Sequence, residues 1–102
     1  METRVKTVEE VRDEFFEAVR GISKYWAELP EKTPLERCDG TVFSILNIFD
    51  GTTMNLPAMN IILSPHPDDK EFNRSEGNNW YESGMVINDC MLHELFYKEK
   101  TT

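Results

Sequence analysis

Thr33-Pro34-Leu35-Glu36-Arg37-Cys38-Asp39-Gly40-Thr41-Val42-Phe43-Ser44-Ile45-Leu46-Asn47-Ile48-Phe49-Asp50-Gly51 is the stretch on which the fold turns. Its opening is a helix start: Thr33 as cap, Pro34 at the first helical position and Glu36 in the first turn. Leu35, Cys38, Val42, Ile45, Leu46 and Phe49 follow at helical spacing, and Asp50-Gly51 is a stop. Phe43 and Ile48 lie off this stripe, which describes a central helix buried on several sides. The rival is a strand from Thr41 to Phe49, broken at Gly40 and turned by Asp50-Gly51, as its β-branched and aromatic residues would suit. The cap and the lack of clean alternation decide for the helix.

Upstream, Thr7 to Trp26 predicts a helix. Thr7 and Glu10 have capping-box spacing. Val8, Val11, Phe15, Ala18, Val19, Ile22 and Trp26 step by three or four along one face. Acidic residues crowd its first half and Arg20 and Lys24 its second, the order a helix dipole favours. Gly21 interrupts the pattern at a cost of about 1 kcal/mol against Ala. Pro30 closes the element.

Downstream, Ala58 to Ser64 predicts a strand between Pro57 and Pro65. Met59, Ile61 and Leu63 point to one side of it. Trp80 to Ile87 predicts a second strand, interrupted by Gly84. Asp68-Asp69-Lys70-Glu71 can form one helical turn, and 73–79 reads as a polar loop. Asn88-Asp89 would cap a last helix carrying Leu92, Leu95 and Phe96 on its inner side. The expected fold is therefore α+β: two N-terminal helices and a C-terminal helix packed on a small antiparallel sheet, in a single domain over 1–102. So small a sheet has open edges, which argues mildly for a homodimer.

Composition narrows the partners. The 102 residues hold 11 Lys+Arg and 19 Asp+Glu, a net charge of -8. The first 40 residues carry 7 basic and 10 acidic groups, the remaining 62 carry 4 and 9. Neither part offers a basic patch able to displace phosphate counterions, so nucleic acid and anionic membranes are poor partners. No apolar run approaches the ~20 residues of a membrane span. The charged N-terminal stretch does not resemble a secretory leader, so a cytoplasmic protein is expected. Cys38 and Cys90 match no metal or redox spacing and are expected as buried thiols.

Three kinds of site are conceivable. His66, Asp68 and Asp69, with His93, are residue types that bind Zn or Mn, which would suit a metal-dependent hydrolase. The segment His93-Glu94-Leu95-Phe96-Tyr97 begins like a zinc helix but has Tyr97 where the second His belongs. The plainer reading gives Asp68 a capping role and leaves the others solvated. A thiolate at Cys38 or Cys90 paired with His66 or His93 is a weaker idea; no catalytic residue is assigned and no cofactor is expected. The third is a surface: Trp26, Asn78, Asn79, Trp80 and Tyr81, aromatics of the kind that anchor protein partners. The acidic face of the first helix could also imitate a phosphate row and inhibit a nucleic-acid-binding protein.

The segments Arg37-Cys38-Asp39-Gly40 with Phe43-Ser44-Ile45-Leu46, Pro65-His66-Pro67-Asp68-Asp69-Lys70, and Met91 to Tyr97 resemble small uncharacterised bacterial or prophage proteins. The resemblance implies no activity, and no functional residue is carried over from it. The leading expectation is a non-enzymatic domain that binds protein, including a second copy of itself.

Overall fold

The computed structural model describes residues 2–100. Helix α1 spans Val8–Glu28. Its capping box is complete: the Glu10 amide donates to Thr7 Oγ1 at 3.1 Å, and the Thr7 amide donates to Glu10 Oε1 at 2.8 Å. Arg4 adds a two-pronged grip on the Glu10 carboxylate, at 2.7 and 2.9 Å. The helix passes through Gly21 without a break and ends before Leu29, two residues beyond Trp26.

Helix α2 spans Pro34–Phe49, so the helical reading of 41–49 is the one observed. Thr33 and Glu36 form a second reciprocal capping box. At the other end the chain leaves by a Schellman turn. The Gly51 amide donates to the Ile48 carbonyl at 3.0 Å and the Thr52 amide to that of Asn47 at 3.1 Å. Gly51 sits at φ 79°, where a Cβ would also press on Ala58 Cβ at 2.7 Å, so this position demands glycine twice over.

The short loop 29–33 folds α1 back on α2. Phe15 near the start of α1 meets Phe49 at the end of α2, ring centroids 5.9 Å apart. Trp26 near the end of α1 lies against Gly40 and donates its indole N–H to Ser44 Oγ at 2.9 Å. The two helices are therefore antiparallel. The Arg37 guanidinium donates to the Leu29 carbonyl at 2.9 Å and fixes the loop. Gly40 is where the helices touch: any Cβ there would overlap the Trp26 ring.

The rest of the chain corrects the α+β expectation. Among the described residues there is no strand and no sheet; the protein is helical, with α3 at Asp69–Ser75 and α4 at Leu92–Lys100 completing it. The two expected strand segments do meet, antiparallel, but only at one isolated bridge between Ile62 and Val86. The Leu63 amide donates to the Met85 carbonyl, and those of Gly84 and Ile87 to Leu63 and Ile61. The ladder stops there for local reasons. Prolines at 57 and 65 bracket one segment, and Gly84 turns the other at φ 88°. At the far end the Asn88 side chain, not the backbone, bonds the Ile61 amide at 2.8 Å and the Met59 carbonyl at 2.6 Å. That use of Asn88 also leaves α4 to be capped from elsewhere. Ile62 on one face of this ribbon and Met85 and Ile87 on the other are 47–55% exposed, so neither face is fully covered.

Helix α2 is the hub: α1 and α4 pack on it, and α3 packs on no other helix. Among the described residues the buried hydrophobic side chains are Ile48 and Leu56, at 1% and 7% exposure. The molecule is a slab of 51 × 47 × 20 Å with a radius of gyration of 17.8 Å. A compact chain of this length has about 13 Å. Its accessible surface is 8385 Å², some 2,400 Å² above the roughly 6,000 Å² of a compact monomer of this mass. Both cysteines are exposed, which corrects their expected burial.

Candidate functional site

Helix α2 presents three faces. Gly40 and Ser44 meet Trp26 of α1, and Ile48, one further i+4 step along, is 1% exposed. A second face carries Phe43, whose ring lies edge-on to His93 at 5.6 Å and tilted on Tyr97 at 5.4 Å, both from α4. The third face holds the stripe that defines the helix in sequence. At 100° per residue, Val42 lies about 160° round the axis from Ser44. Leu35 is 62% exposed, Val42 is 42% exposed and Cys38 is exposed; Ile45, Leu46 and Phe49 are half-buried. Of the residues that look most like core in the sequence, Phe49 meets Phe15 of α1, while Leu35, Cys38 and Val42 are left exposed.

At the Phe49 end this face runs into an apolar groove of about 490 Å³ between Val8, Val11 and Phe15 of α1 and Phe49 and Met59. At the Cys38 end a second depression, about 330 Å³, lies between Ser23 and Ala27 of α1 and Cys38 and Thr41 of α2.

The junction of α2 and α4 holds a buried polar contact. Asp50 Oδ2 accepts the His93 amide at 2.8 Å and lies 2.6 Å from His93 Nδ1. The Asp50 side chain has no accessible surface and that of His93 keeps 16%. Burial by itself would push the Asp50 carboxyl up. The hydrogen bonds from the His93 amide and ring, with that from the Leu92 amide, together more than offset this, and its pKa lies below the ordinary value. Neither thiol hydrogen-bonds to His66 or His93, so the described residues hold no cysteine–histidine pair. Asp50 was invisible as a site residue in the sequence; its one local signal was the Asp-Gly stop.

The sequence candidates for a metal do not gather. His66 Nδ1 accepts the Asp68 amide at 3.1 Å and lies 3.8 Å from Asp68 Oδ2, but both side chains are at least 75% exposed. Asp69 accepts the Tyr81 amide at 3.1 Å. His93 is committed to Asp50. Among the described residues no group of three or more His, Cys, Asp or Glu could hold a metal ion.

The aromatic candidates separate. Trp26 is half-buried between α1 and α2. Asn78, Asn79, Trp80 and Tyr81 are exposed beside α3. The Trp80 ring has Lys70 Nζ at 5.3 Å and Arg74 Cζ at 5.9 Å from its centroid, two cations from one helix over one indole. No helix among the described residues is long and apolar enough to cross a membrane. Comparison of the chain with protein-family models, curated proteins and solved structures finds no match.

Proposed function

We propose that the chain works by binding protein, and that its first partner is a second copy of itself. The observation that carries this is the surplus of accessible surface, some 2,400 Å² over a compact monomer of this mass. Large obligate homodimers bury about 1,000–2,500 Å² per subunit. The surplus matches that scale, and much of it is apolar: among the described residues sixteen large hydrophobic side chains are exposed, Met54 fully and Val5 to 88%. A slab 20 Å thick is about two helix widths. Two such slabs laid face to face would cover apolar side chains that each copy alone leaves exposed. The two unpaired thiols fit a reducing, cytoplasmic setting.

Light scattering coupled to size exclusion tests the reading. The expected mass is twice 11.9 kDa from low micromolar concentration upward. A mass of one chain at high micromolar concentration overturns it.

A further inference from the structure

We infer that the second copy docks on the third face of α2, along the seam Leu35–Cys38–Val42–Ile45–Phe49; the inference rests on the self-association proposed above. The seam has a property that the other exposed apolar residues lack. Its members are spaced three, four, three and four apart, the alternation that keeps one line of side chains facing a partner helix in knobs-into-holes packing. The row runs about 21 Å along the helix, nearly its whole length. Neither α1 nor α4 takes up its exposed positions: Trp26 is on Gly40 and Ser44, while His93 and Tyr97 are on Phe43.

Charge points to the same face. A chain of net -8 repels its own copy over most of its surface. The seam itself contains no ionisable acid or base apart from the Cys38 thiol. The positions beside it are Asp39, Thr41, Leu46 and Ile48, with one acid among them. Of the six acidic residues of α1, by contrast, Glu9, Asp13, Glu17 and Glu28 are exposed and Glu10 and Glu14 half-buried. An acidic chain can therefore meet itself on α2 with little apposed charge. The two grooves at the ends of the seam enlarge the face beyond a single helix–helix stripe, as the surplus area requires. The symmetry is that of an isologous pair: α2 on the partner's α2, with the α1 helices outside.

The experiment compares three chains by light scattering and circular dichroism: the unmodified protein, Val42→Asp on the seam, and Met85→Asp on the exposed ribbon. The expected result is a dimer for the unmodified protein and for Met85→Asp, and at least a hundredfold weaker association for Val42→Asp. A dimer that persists unchanged in Val42→Asp overturns the seam and leaves self-association standing. A monomeric unmodified protein overturns both. Should Val42→Asp lose its helical signal, the Cys90→Ser variant decides by the reaction of Cys38 with a thiol reagent. Cys38 should react at least tenfold more slowly at concentrations above the dimer dissociation constant than below it. Equal rates overturn the seam.

Discussion

One oxygen of Asp50, at the end of α2, receives both the backbone amide and the ring Nδ1 of His93, in the first turn of α4. The contact spans 43 residues of chain. It does for α4 what Thr7 and Thr33 do for their own helices: it supplies the acceptor that a helix N-terminus lacks. The geometry costs something, since Asp50 Oδ1 is buried without a partner. Asp50→Ala removes the cap and leaves the His93 amide and ring to be resatisfied. The expected loss is about 2 kcal/mol, read by urea denaturation. Asp50→Asn keeps an acceptor for the amide and loses less. A change under ~0.5 kcal/mol in Asp50→Ala would show that α4 is held by its Phe43 contacts alone.

Three carboxylates make stability fall with acid. Arg4 and the Thr7 amide hold Glu10 down to about 2. The Thr33 amide lowers Glu36, and His93 lowers Asp50. Each group releases its proton more readily folded than unfolded. Its contribution is therefore complete above the ordinary carboxylate values of 3.8 and 4.5. It drains away as pH falls through the lower folded values. The urea midpoint should drop steadily from about pH 5 toward pH 2. Replacing Glu10 by Gln and Asp50 by Asn together should flatten that decline; an unaltered slope would remove these groups from the account.

Glycine to alanine should have opposite signs at two positions of the helical hairpin. At Gly21 nothing lies within 4 Å of an added Cβ, so alanine gains its helix propensity, up to about 1 kcal/mol. At Gly40 the same methyl runs into the Trp26 ring. The ring belongs to a side chain held by its bond to Ser44, so it cannot swing aside without losing that bond. Overpacking of this kind costs about 1–3 kcal/mol, more than propensity returns. Thermal melts of the two variants should therefore move in opposite directions.

The parts of the fold that were legible in the sequence are those set by local chemistry. The Thr7–Glu10 capping box, the Thr33 cap and proline start of α2 and the Asp50-Gly51 stop involve groups within a few residues of one another. The expected sheet does not form for a physical reason. Met59, Ile61 and Leu63 are half-buried while Asn60, Ile62 and Ser64 are exposed, so the alternation is real. Extending a ladder needs backbone partners on both sides and a layer above, and the Asn88 side chain ends the pairing instead. The thiols were misplaced for a related reason. Cys38 belongs to an apolar stripe, and a stripe says that a face wants covering, not that its own chain covers it. The Asp50–His93 contact had no sequence signature at all, because it depends on α4 returning to the end of α2.

The two tryptophans, equivalent as interaction anchors in the sequence, should behave differently when changed. Trp26 fills the contact at Gly40 and its N–H reaches Ser44 at 2.9 Å, so Trp26→Phe opens a gap and strands a half-buried hydroxyl. A loss of about 1–3 kcal/mol is expected. Trp80 is 40% exposed and stacks on cations of α3, a helix that packs on no other. Phenylalanine keeps most of that face, and the expected change is within about 0.5 kcal/mol. Fluorescence separates them further. In Trp26→Phe the remaining indole should be quenched readily by acrylamide; in Trp80→Phe the remaining one should resist. Equal quenching in the two variants would mean that α1 does not hold Trp26 against α2 in solution, and with it the hairpin geometry on which the exposed α2 seam depends would fail.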